Sequence, residues 1–386
     1  MTKVTTTAEP ERTRVAVIGA GQAGLSVAWH LRRLGLVPGV DLVVLDRGPG
    51  PGGAWQHRWD SLRLGSAHRV NDLPGMSELG LSFDTADRDA PASQIVADYY
   101  ERYERAFDLR VRRPAEVRAV GDRGGGLAVR YVTRASSTRA SSGDAEAQPI
   151  ERELVAEVVV NASGTWGAPF VPWYPGRDRF AGRQLHTADY REAGEFEGLD
   201  VVVVGGGTSA IGFVLELEGV SASTTWVTRR PVEWQARGEG LAQEAAVAAV
   251  AEQDEAARRG ATLPSIVSGT GVPLTRRFAA AIERGVLVER PMFTSIEPEG
   301  VRFADGELVR ADAIIWATGF RAELHHLSEL HLREQSGGVA VTAGVSERDP
   351  RIFLAGYGPQ ASTIGANRAG RSVARQVMAR LEARVG

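Results

Sequence analysis

The sequence predicts an α/β fold of two Rossmann-like dinucleotide-binding domains, the second inserted in the first, with a small antiparallel β-meander. Three observations in the 386-residue chain carry this prediction. A buried strand, a glycine-rich turn and a helix follow one another near the N-terminus. The same order recurs 186 residues later, from Gly19 to Gly205. Between the two copies lie β-branched segments typical of antiparallel strands.

The first unit begins with an apolar, β-branched run at 14–18, which predicts a buried parallel strand. A Gly-x-Gly-x-x-Gly turn and a helix ending at Gly35 follow, and a second strand at 42–45 ends at Asp46. Such glycines allow a tight turn, close approach to a pyrophosphate and helix packing, while the acid binds ribose hydroxyls. A purely structural turn is the alternative. The turn residues are Gly19, Gly21 and Gly24.

The second unit runs from a strand at 200–204 through a glycine turn into an apolar helix. After its next strand, two arginines stand where an acid would hold the ribose of NADH. Arginines at this place favour a 2′-phosphate, and hence NADPH. The alternative is that both are solvated surface side chains. The candidate nucleotide-binding residues here are Gly205, Gly207, Thr208, Ser209, Arg229 and Arg230.

An acid in one unit and arginines in the other indicate two different nucleotides in one protein. FAD and NADPH are the pair that this combination predicts. We therefore expect a disordered tail at 1–13, an FAD-binding domain at 14–170 and 312–386, and an NADPH-binding domain at 171–311.

Other elements are predicted from local patterns. Ser93 is expected to cap a helix running to about Phe107, with a stripe of apolar residues every fourth position that packs in the core. The Ser- and Ala-rich segment 134–149 is expected to be a mobile hairpin tip, and 236–262 a helical insertion in the second domain. The predicted antiparallel strands are 116–120, 127–133 and 151–161.

Composition excludes several classes of protein. The chain has no Cys and a single Lys, Lys3, so the other 44 basic residues are arginines. This excludes Schiff-base lysine enzymes, P-loop nucleotidases, Cys-x-x-Cys disulfide reductases and cysteine-ligated iron–sulfur proteins. No metal site is predicted, and His325, His326 and His331 are interpreted as surface or helix-packing residues, because no recognisable ligand spacing surrounds them.

Charge and hydropathy bear on partners and localisation. The net charge is −3 and the arginines are interleaved with acids, so no nucleic-acid partner is expected. Residues 1–13 lack the apolar core of a signal peptide, and no window approaches the roughly 18 apolar residues that span a bilayer. We expect a cytoplasmic protein without a membrane partner. The oligomeric state is open, a homodimer being one option.

A segment before the second glycine turn resembles a family fingerprint. It reads Phe180-x-Gly182-x-x-x-His186-Thr187-x-x-Tyr190 and is similar to the Phe-x-Gly-x-x-x-His pattern of flavin-dependent monooxygenases, which include Baeyer–Villiger and N- or S-oxygenating enzymes. The chain resembles the compact bacterial members. Supporting motifs, in the family's order, are Gly52-Gly53-Ala54-Trp55, Leu62-Arg63-Leu64, Asn161-Ala162-Ser163-Gly164 and Ala317-Thr318-Gly319-Phe320.

The resemblance implies that NADPH gives a hydride to FAD, that reduced flavin and O₂ form a C4a-(hydro)peroxide, and that oxygen passes to a small organic substrate. The protein's task is to position the cofactors and exclude water. Asn71 and His186 are the candidate catalytic residues. The resemblance gives Asn71 a hydrogen bond near the flavin, with a turn residue as the alternative. With Tyr190, His186 is expected to organise the domain junction, and direct acid–base chemistry is less favoured.

The resemblance also adds candidate cofactor residues outside the two turns. One departure is the run Gly356-Tyr357-Gly358-Pro359, which replaces the Gly-Asp that related flavoproteins commonly have after the last strand. Backbone contacts would then have to replace a carboxylate. The added candidates are Arg47, Gly53, Trp55, Arg63, Leu64, Thr318 and Gly319.

The end of the fingerprint bears on the substrate. Tyr190-Arg191 resembles the Tyr-Lys of the heteroatom-oxygenating branch, whereas Baeyer–Villiger enzymes usually have Trp followed by Pro or Asp. A sulfide or amine is therefore favoured, with a ketone as an alternative. Two other functions stay open: an NADPH-dependent oxidoreductase that passes electrons to an acceptor other than O₂, and a non-catalytic flavin redox sensor.

Overall fold

Two sheets, each packed against helices, form the framework of the molecule; the first mixes parallel and antiparallel strands and the second is parallel. The computed structural model describes residues 9–67, 69–134, 148–235, 239–264, 271–361 and 363–383. The strands are β1 (Glu11–Ile18), β2 (Leu42–Leu45), β3 (Ala115–Arg123), β4 (Gly126–Arg134), β5 (Pro149–Asn161), β6 (Arg183–His186), β7 (Asp200–Val204), β8 (Ser223–Thr228), β9 (Trp234–Gln235), β10 (Val272–Pro273), β11 (Glu289–Pro291), β12 (Ser295–Glu297), β13 (Gly300–Arg302), β14 (Leu308–Arg310), β15 (Ala313–Trp316), β16 (Val341–Thr342), β17 (Val345–Ser346) and β18 (Ile352–Leu354). The α-helices are α1 (Gln22–Arg33), α2 (Ala92–Ala106), α3 (Thr208–Leu217), α4 (Glu239–Arg258), α5 (Arg276–Glu283) and α6 (Thr363–Glu382).

The first sheet has the strand order β16-β17-β18-β5-β1-β2, and β4 with β3 joins it at β5. The central strand β1 pairs in parallel with both β2 and β5. Val15 and Val17 of β1 have no exposed surface, as expected for a parallel strand buried on both faces. The first strand–turn–helix–strand unit is therefore confirmed. Its first strand begins earlier than predicted, because residues 11–13, which were expected to belong to a disordered tail, pair with β5.

Strand β5 takes part in two kinds of pairing. Its residues 149–156 pair antiparallel with β4, whereas residues 154–161 pair in parallel with β1. The prediction that this strand is antiparallel is therefore only half correct. Because the strand is 13 residues long, it extends from the antiparallel meander into the centre of the first sheet.

The second sheet is parallel throughout, in the order β11-β8-β7-β15-β6. It contains the second glycine turn after β7 and confirms the α/β fold with two nucleotide-type sheets. Strand β15 pairs with β7 and β6, so it belongs to the second sheet. The predicted return to the first domain at residue 312 is therefore too early, and the chain leaves the second sheet only after this strand.

Helix α2 covers the helix predicted to end near Phe107, but it begins at Ala92 with Pro91 as its N-cap residue and has no side-chain cap. The prediction that Ser93 caps it is wrong, since the Ser93 hydroxyl instead lies 3.5 Å from the Asp60 carboxylate. The predicted stripe packs in the core of the first domain.

Two further predictions concern the insertions. Of the expected hairpin tip at 134–149, residues 135–147 lie outside the described part of the chain. Helix α4 confirms a helix within 236–262. Every helix in the described ranges is too short or too polar to cross a membrane.

Apolar side chains cover both faces of the first sheet. One core draws on α1, α2 and α6, and the other on β3, β4 and the segment 324–341. The carboxyl ends of β1, β2 and β5 meet at one edge of this sheet. In parallel α/β sheets this edge is where ligands bind.

Candidate active site

The first glycine turn follows β1 and leads into α1. Gly19 has a φ of +101°, and a Cβ there would overlap the carbonyl of Ala162, so only glycine fits. A Cβ on Gly24 would overlap the Gly19 carbonyl, which keeps helix and turn in close contact. Gly21 is the N-cap residue of α1, so the free N–H groups of the first helical turn lie beside it. An anion is favoured at this position.

Asp46, which follows β2, is buried and holds the turn in place. Its Oδ2 accepts a hydrogen bond from the Ala20 N–H at 2.7 Å. Its Oδ1 accepts from the Gly48 N–H at 2.9 Å and from Nε of Arg113 at 3.3 Å. A carboxylate has about four acceptor positions, so capacity remains for a ribose hydroxyl.

A cavity lies at the carboxyl ends of β1, β2 and β5. Part of its wall is bare backbone, because Gly53 has a φ of +54° and a Cβ on it would lie 2.7 Å from Cα of Gly21. The sequence did not identify Gln22, Glu323 and Gln360 as wall residues. The predicted cofactor residues that line the cavity are Gly19, Gly21, Asp46, Arg47, Gly53 and Trp55.

Other predicted cofactor residues lie elsewhere. Arg63 is exposed at the surface, and Leu64 is buried in the apolar core of the first domain. Thr318 and Gly319 lie where the chain returns from the second domain, and the Thr318 hydroxyl donates a hydrogen bond to the Phe170 carbonyl. None of these four lines the cavity.

Asn71 lies beside the cavity rather than in its wall. Its carbonyl oxygen accepts a hydrogen bond from Nε2 of Gln22 at 2.6 Å, and Gln22 itself lines the cavity. The next carbonyl, that of Asp72, accepts from the side-chain amide of Asn367. The backbone at Asn71 is therefore fixed from two sides.

The second glycine turn has the same construction as the first. Gly205 has a φ of +139°, and a Cβ there would overlap the Ala317 carbonyl. Gly207 is the N-cap residue of α3, and Thr208 and Ser209 begin the helix. Arg229 and Arg230, directly after β8, are exposed and pair with no other residue in the ranges that the structure describes. Two guanidinium groups are thus free to meet an anion.

His186 joins the two chain segments that connect the domains. Its Nε2 lies 2.9 Å from the carbonyl oxygen of Gly319, and Nε2 carries the proton because a carbonyl can only accept. Its Nδ1 accepts from the Ala188 N–H at 3.2 Å. Burial lowers the pKa of His186, and the hydrogen bond to Gly319 opposes that shift. The ring is neutral at pH 7, and both nitrogens are engaged by backbone.

A buried acid lies at the edge of the cavity. The Glu323 side chain is 6% exposed and accepts a hydrogen bond from Nη1 of Arg47 at 3.3 Å. Its other oxygen contacts Nδ1 of His325, and Nε2 of His326 donates to Oδ1 of Asn161 at 2.9 Å. Glu323, His325 and His326 have ligand atoms within 4.8 Å of one another. Arg47 already balances the charge of the carboxylate, so this acid does not need a metal ion to offset it.

Gln360 provides a test of whether the cavity suits a flavin. It lies in the turn before α6 and lines the cavity, and its Oε1 is buried without a partner among the described residues. A buried acceptor without a partner costs about 1–3 kcal/mol. Hydrogen-bond donors on a flavin ring or ribityl chain would satisfy it. The missing Gly-Asp of the sequence is thus matched by an amide side chain in the same turn.

Comparison with known proteins agrees with this geometry. Residues 16–242 match the pyridine nucleotide-disulphide oxidoreductase family. The structure of a flavin-containing monooxygenase from Stenotrophomonas maltophilia superimposes with a TM-score of 0.74 at 32% identity, covering 96% of this chain and 99% of that one. The chain belongs to the flavin-containing monooxygenases of this family. Among its relatives is a rice (Oryza sativa) indole-3-pyruvate monooxygenase, YUCCA8, which is 26% identical over 80% of this chain and 76% of that protein. An uncharacterised CzcO-like oxidoreductase of Geobacillus kaustophilus is 23% identical, over 88% of this chain and 90% of that protein.

Membership of this family establishes the class of enzyme. The protein is an NADPH-dependent flavoprotein monooxygenase with FAD and NADPH as cofactors, and the predicted cofactor pair is confirmed. A disulfide-reducing branch is excluded by the lack of any cysteine.

Proposed function

We propose that this flavin-containing monooxygenase uses NADPH and O₂ to oxygenate a small sulfide or amine. The observation that carries the substrate class is the fingerprint ending Tyr190-Arg191, which resembles the heteroatom-oxygenating branch. A small ketone is the second candidate, because the rice relative is named an indole-3-pyruvate monooxygenase.

In this proposal the first cavity holds FAD. The N–H groups at the start of α1 bind its pyrophosphate, Asp46 binds its ribose, and Gln360 accepts a hydrogen bond from the flavin or ribityl part. FAD supplies the redox and oxygen-transfer chemistry. The second turn holds NADPH, with Arg229 and Arg230 on its 2′-phosphate.

The two candidate catalytic residues take different roles. His186 is proposed to act by position, because both of its ring nitrogens bond to backbone and neither is free to move a proton. Asn71 is proposed to offer its amide beside the flavin, supported by the hydrogen bond that ties its carbonyl to Gln22 of the cavity wall.

The reaction is tested with ¹⁸O₂ and a panel of methyl phenyl sulfide, trimethylamine and cyclohexanone. We expect one labelled oxygen in the sulfoxide or N-oxide for each NADPH consumed. Label in a lactone instead would assign the ketone reaction. Hydrogen peroxide release without labelled product would favour transfer to another electron acceptor, and a flavin that NADPH does not bleach within seconds would favour the sensor.

A further inference from the structure

A tryptophan from the first domain is buried in the core of the second. Trp59 follows the short 3₁₀ helix Gly53–His57, which lines the flavin cavity. It is 5% exposed and belongs to the apolar cluster of the second sheet. Its ring centroid lies 5.0 Å from that of Phe213 in α3 and 5.7 Å from that of Tyr190. One wall of the flavin cavity is thus anchored in the NADPH-binding domain.

One carboxylate, that of Glu216 in α3, joins the same segments by hydrogen bonds. Its Oε1 accepts from the indole N–H of Trp59 at 2.9 Å. Its Oε2 accepts from the hydroxyls of Ser61 and Tyr190, also at 2.9 Å each. The acceptor in all three bonds is a carboxylate. These are therefore charge-assisted hydrogen bonds, roughly twice as strong as bonds between two neutral groups. We call this group, Trp59, Ser61, Tyr190 and Glu216, the domain latch.

Helix α3 connects the domain latch to the second glycine turn. The helix begins at Thr208, directly after Gly207, and Glu216 lies on the same unbroken helix. At 1.5 Å per residue the two ends are about 12 Å apart. Fixing Glu216 therefore fixes the helix N-terminus that receives the NADPH pyrophosphate, relative to the segment Gly53–His57 of the flavin cavity.

We propose that Glu216 is a positioning residue that sets the NADPH-binding domain in the orientation that hydride transfer to the flavin requires. In that step the nicotinamide C4 loses a hydride and NADPH becomes NADP⁺, while the flavin gains the two electrons and the hydrogen. The proposal rests on the cofactor pair and is independent of the substrate oxygenated. Misplacement by about 1 Å can cost such a step on the order of 100-fold.

The test compares two reductants of the FAD-loaded protein without oxygen, in a stopped-flow instrument. NADPH must bind the second domain, whereas 1-benzyl-1,4-dihydronicotinamide offers the same hydride donor without a nucleotide. Glu216→Ala and Trp59→Phe are expected to lower the limiting rate of flavin reduction by NADPH by about tenfold or more. Reduction by the benzyl compound and the flavin absorbance spectrum should stay unchanged. Glu216→Gln retains an acceptor oxygen and should recover part of the rate.

Glu218→Gln is the matched control. Glu218 lies two residues after Glu216, but it pairs with Arg284 inside the second domain, at 2.8 and 3.1 Å. This variant should keep the wild-type rate with both reductants. Wild-type rates with NADPH in Glu216→Ala and Trp59→Phe would overturn the proposal. Equal slowing with both reductants would also overturn it, because the flavin site itself would then be disturbed. If Glu216→Ala does not fold, the rates of flavin reduction by NADPH and by the benzyl compound are compared in Trp59→Phe and Ser61→Ala, and the same outcomes support or overturn the proposal.

Discussion

Nε2 of His186 donates a hydrogen bond to the carbonyl oxygen of Gly319 at 2.9 Å, between residues 133 positions apart in the chain. His186 ends β6 and Gly319 follows β15, and these two strands are neighbours in the second sheet. The histidine therefore ties the segment that enters the second domain to the segment that leaves it. This is a structural role for a fingerprint residue, and it needs no titration.

This role can be separated from acid–base chemistry by two substitutions. His186→Gln keeps an N–H donor for Gly319 and should retain most of the NADPH-dependent reduction rate. His186→Leu removes one of the two donors to the Gly319 carbonyl, which keeps its hydrogen bond from the Phe170 N–H at 3.0 Å, so the expected cost in unfolding free energy is about 0.5–1.5 kcal/mol. The rate of flavin reduction by NADPH measures the first effect, and denaturant unfolding measures the free energy of unfolding. Equal loss of rate in the two variants, with unchanged stability, would instead indicate proton transfer by the ring.

The two exposed arginines after β8 predict the choice of nicotinamide cofactor. Replacing both Arg229 and Arg230 by Ala removes charge-assisted hydrogen bonds worth about 1.5–3 kcal/mol each, so the KM for NADPH should rise by about 100-fold or more. The KM for NADH, which has no 2′-phosphate, should hardly change. Steady-state kinetics with both cofactors measure this.

A control addresses a general effect of charge. Arg310→Ala removes an exposed arginine from β14, in the separate antiparallel sheet, and should leave both KM values unchanged. Equal increases for NADPH and NADH in the double variant would remove the assignment of the 2′-phosphate site.

The fold could be predicted where a local pattern decides it. Both strand–turn–helix units follow from apolar runs that end in glycines with positive φ, such as Gly19 and Gly205. Strand β15 shows the limit of this reasoning. Its sequence, Ala-Ile-Ile-Trp, is buried in whichever sheet it joins, and only its pairing with β7 and β6 assigns it to the second.

The site could be predicted where a motif fixes the backbone, and it was missed where single side chains come from distant segments. Glu323 meets Arg47 across 276 residues, and no motif of the sequence marks it as a site residue. Gln22 occupies a variable position of the glycine motif. Leu64 was proposed from a family motif, but its apolar side chain packs in the core, as its chemistry favours.

Gln360 leads to a prediction about flavin affinity. If its Oε1 accepts a hydrogen bond from the flavin or ribityl part, Gln360→Leu should raise the dissociation constant for FAD by about tenfold, the equivalent of one hydrogen bond. Titration of the apoprotein, followed by flavin fluorescence, measures this constant. Stability of the apoprotein should not fall, because the variant removes a buried acceptor that lacks a protein partner. Unchanged FAD affinity would show that the amide does not contact the cofactor.

His326 predicts how the protein responds to acid. Burial lowers its pKa to about 4, from an ordinary value near 6.5. Above pH 6.5 the ring is neutral in both the folded and the unfolded chain, so it has no effect on the pH dependence of stability. As the pH falls from 6.5 towards 4, the ring binds a proton in the unfolded chain but stays neutral in the folded chain. Stability should therefore fall through this window, by at most about 3 kcal/mol from this group.

The substitution His326→Gln tests that prediction, because glutamine can still donate to Oδ1 of Asn161 but does not titrate. The variant should lose less stability than the wild type between pH 6.5 and 4, as measured by denaturant unfolding at a series of pH values. His331→Asn replaces an exposed histidine at a φ of +49°, a conformation that asparagine tolerates, and should keep the wild-type profile. If His326→Gln and the wild type lose stability in parallel, the acid sensitivity arises from other groups, and the ring of His326 is protonated in the folded protein as readily as in the unfolded chain.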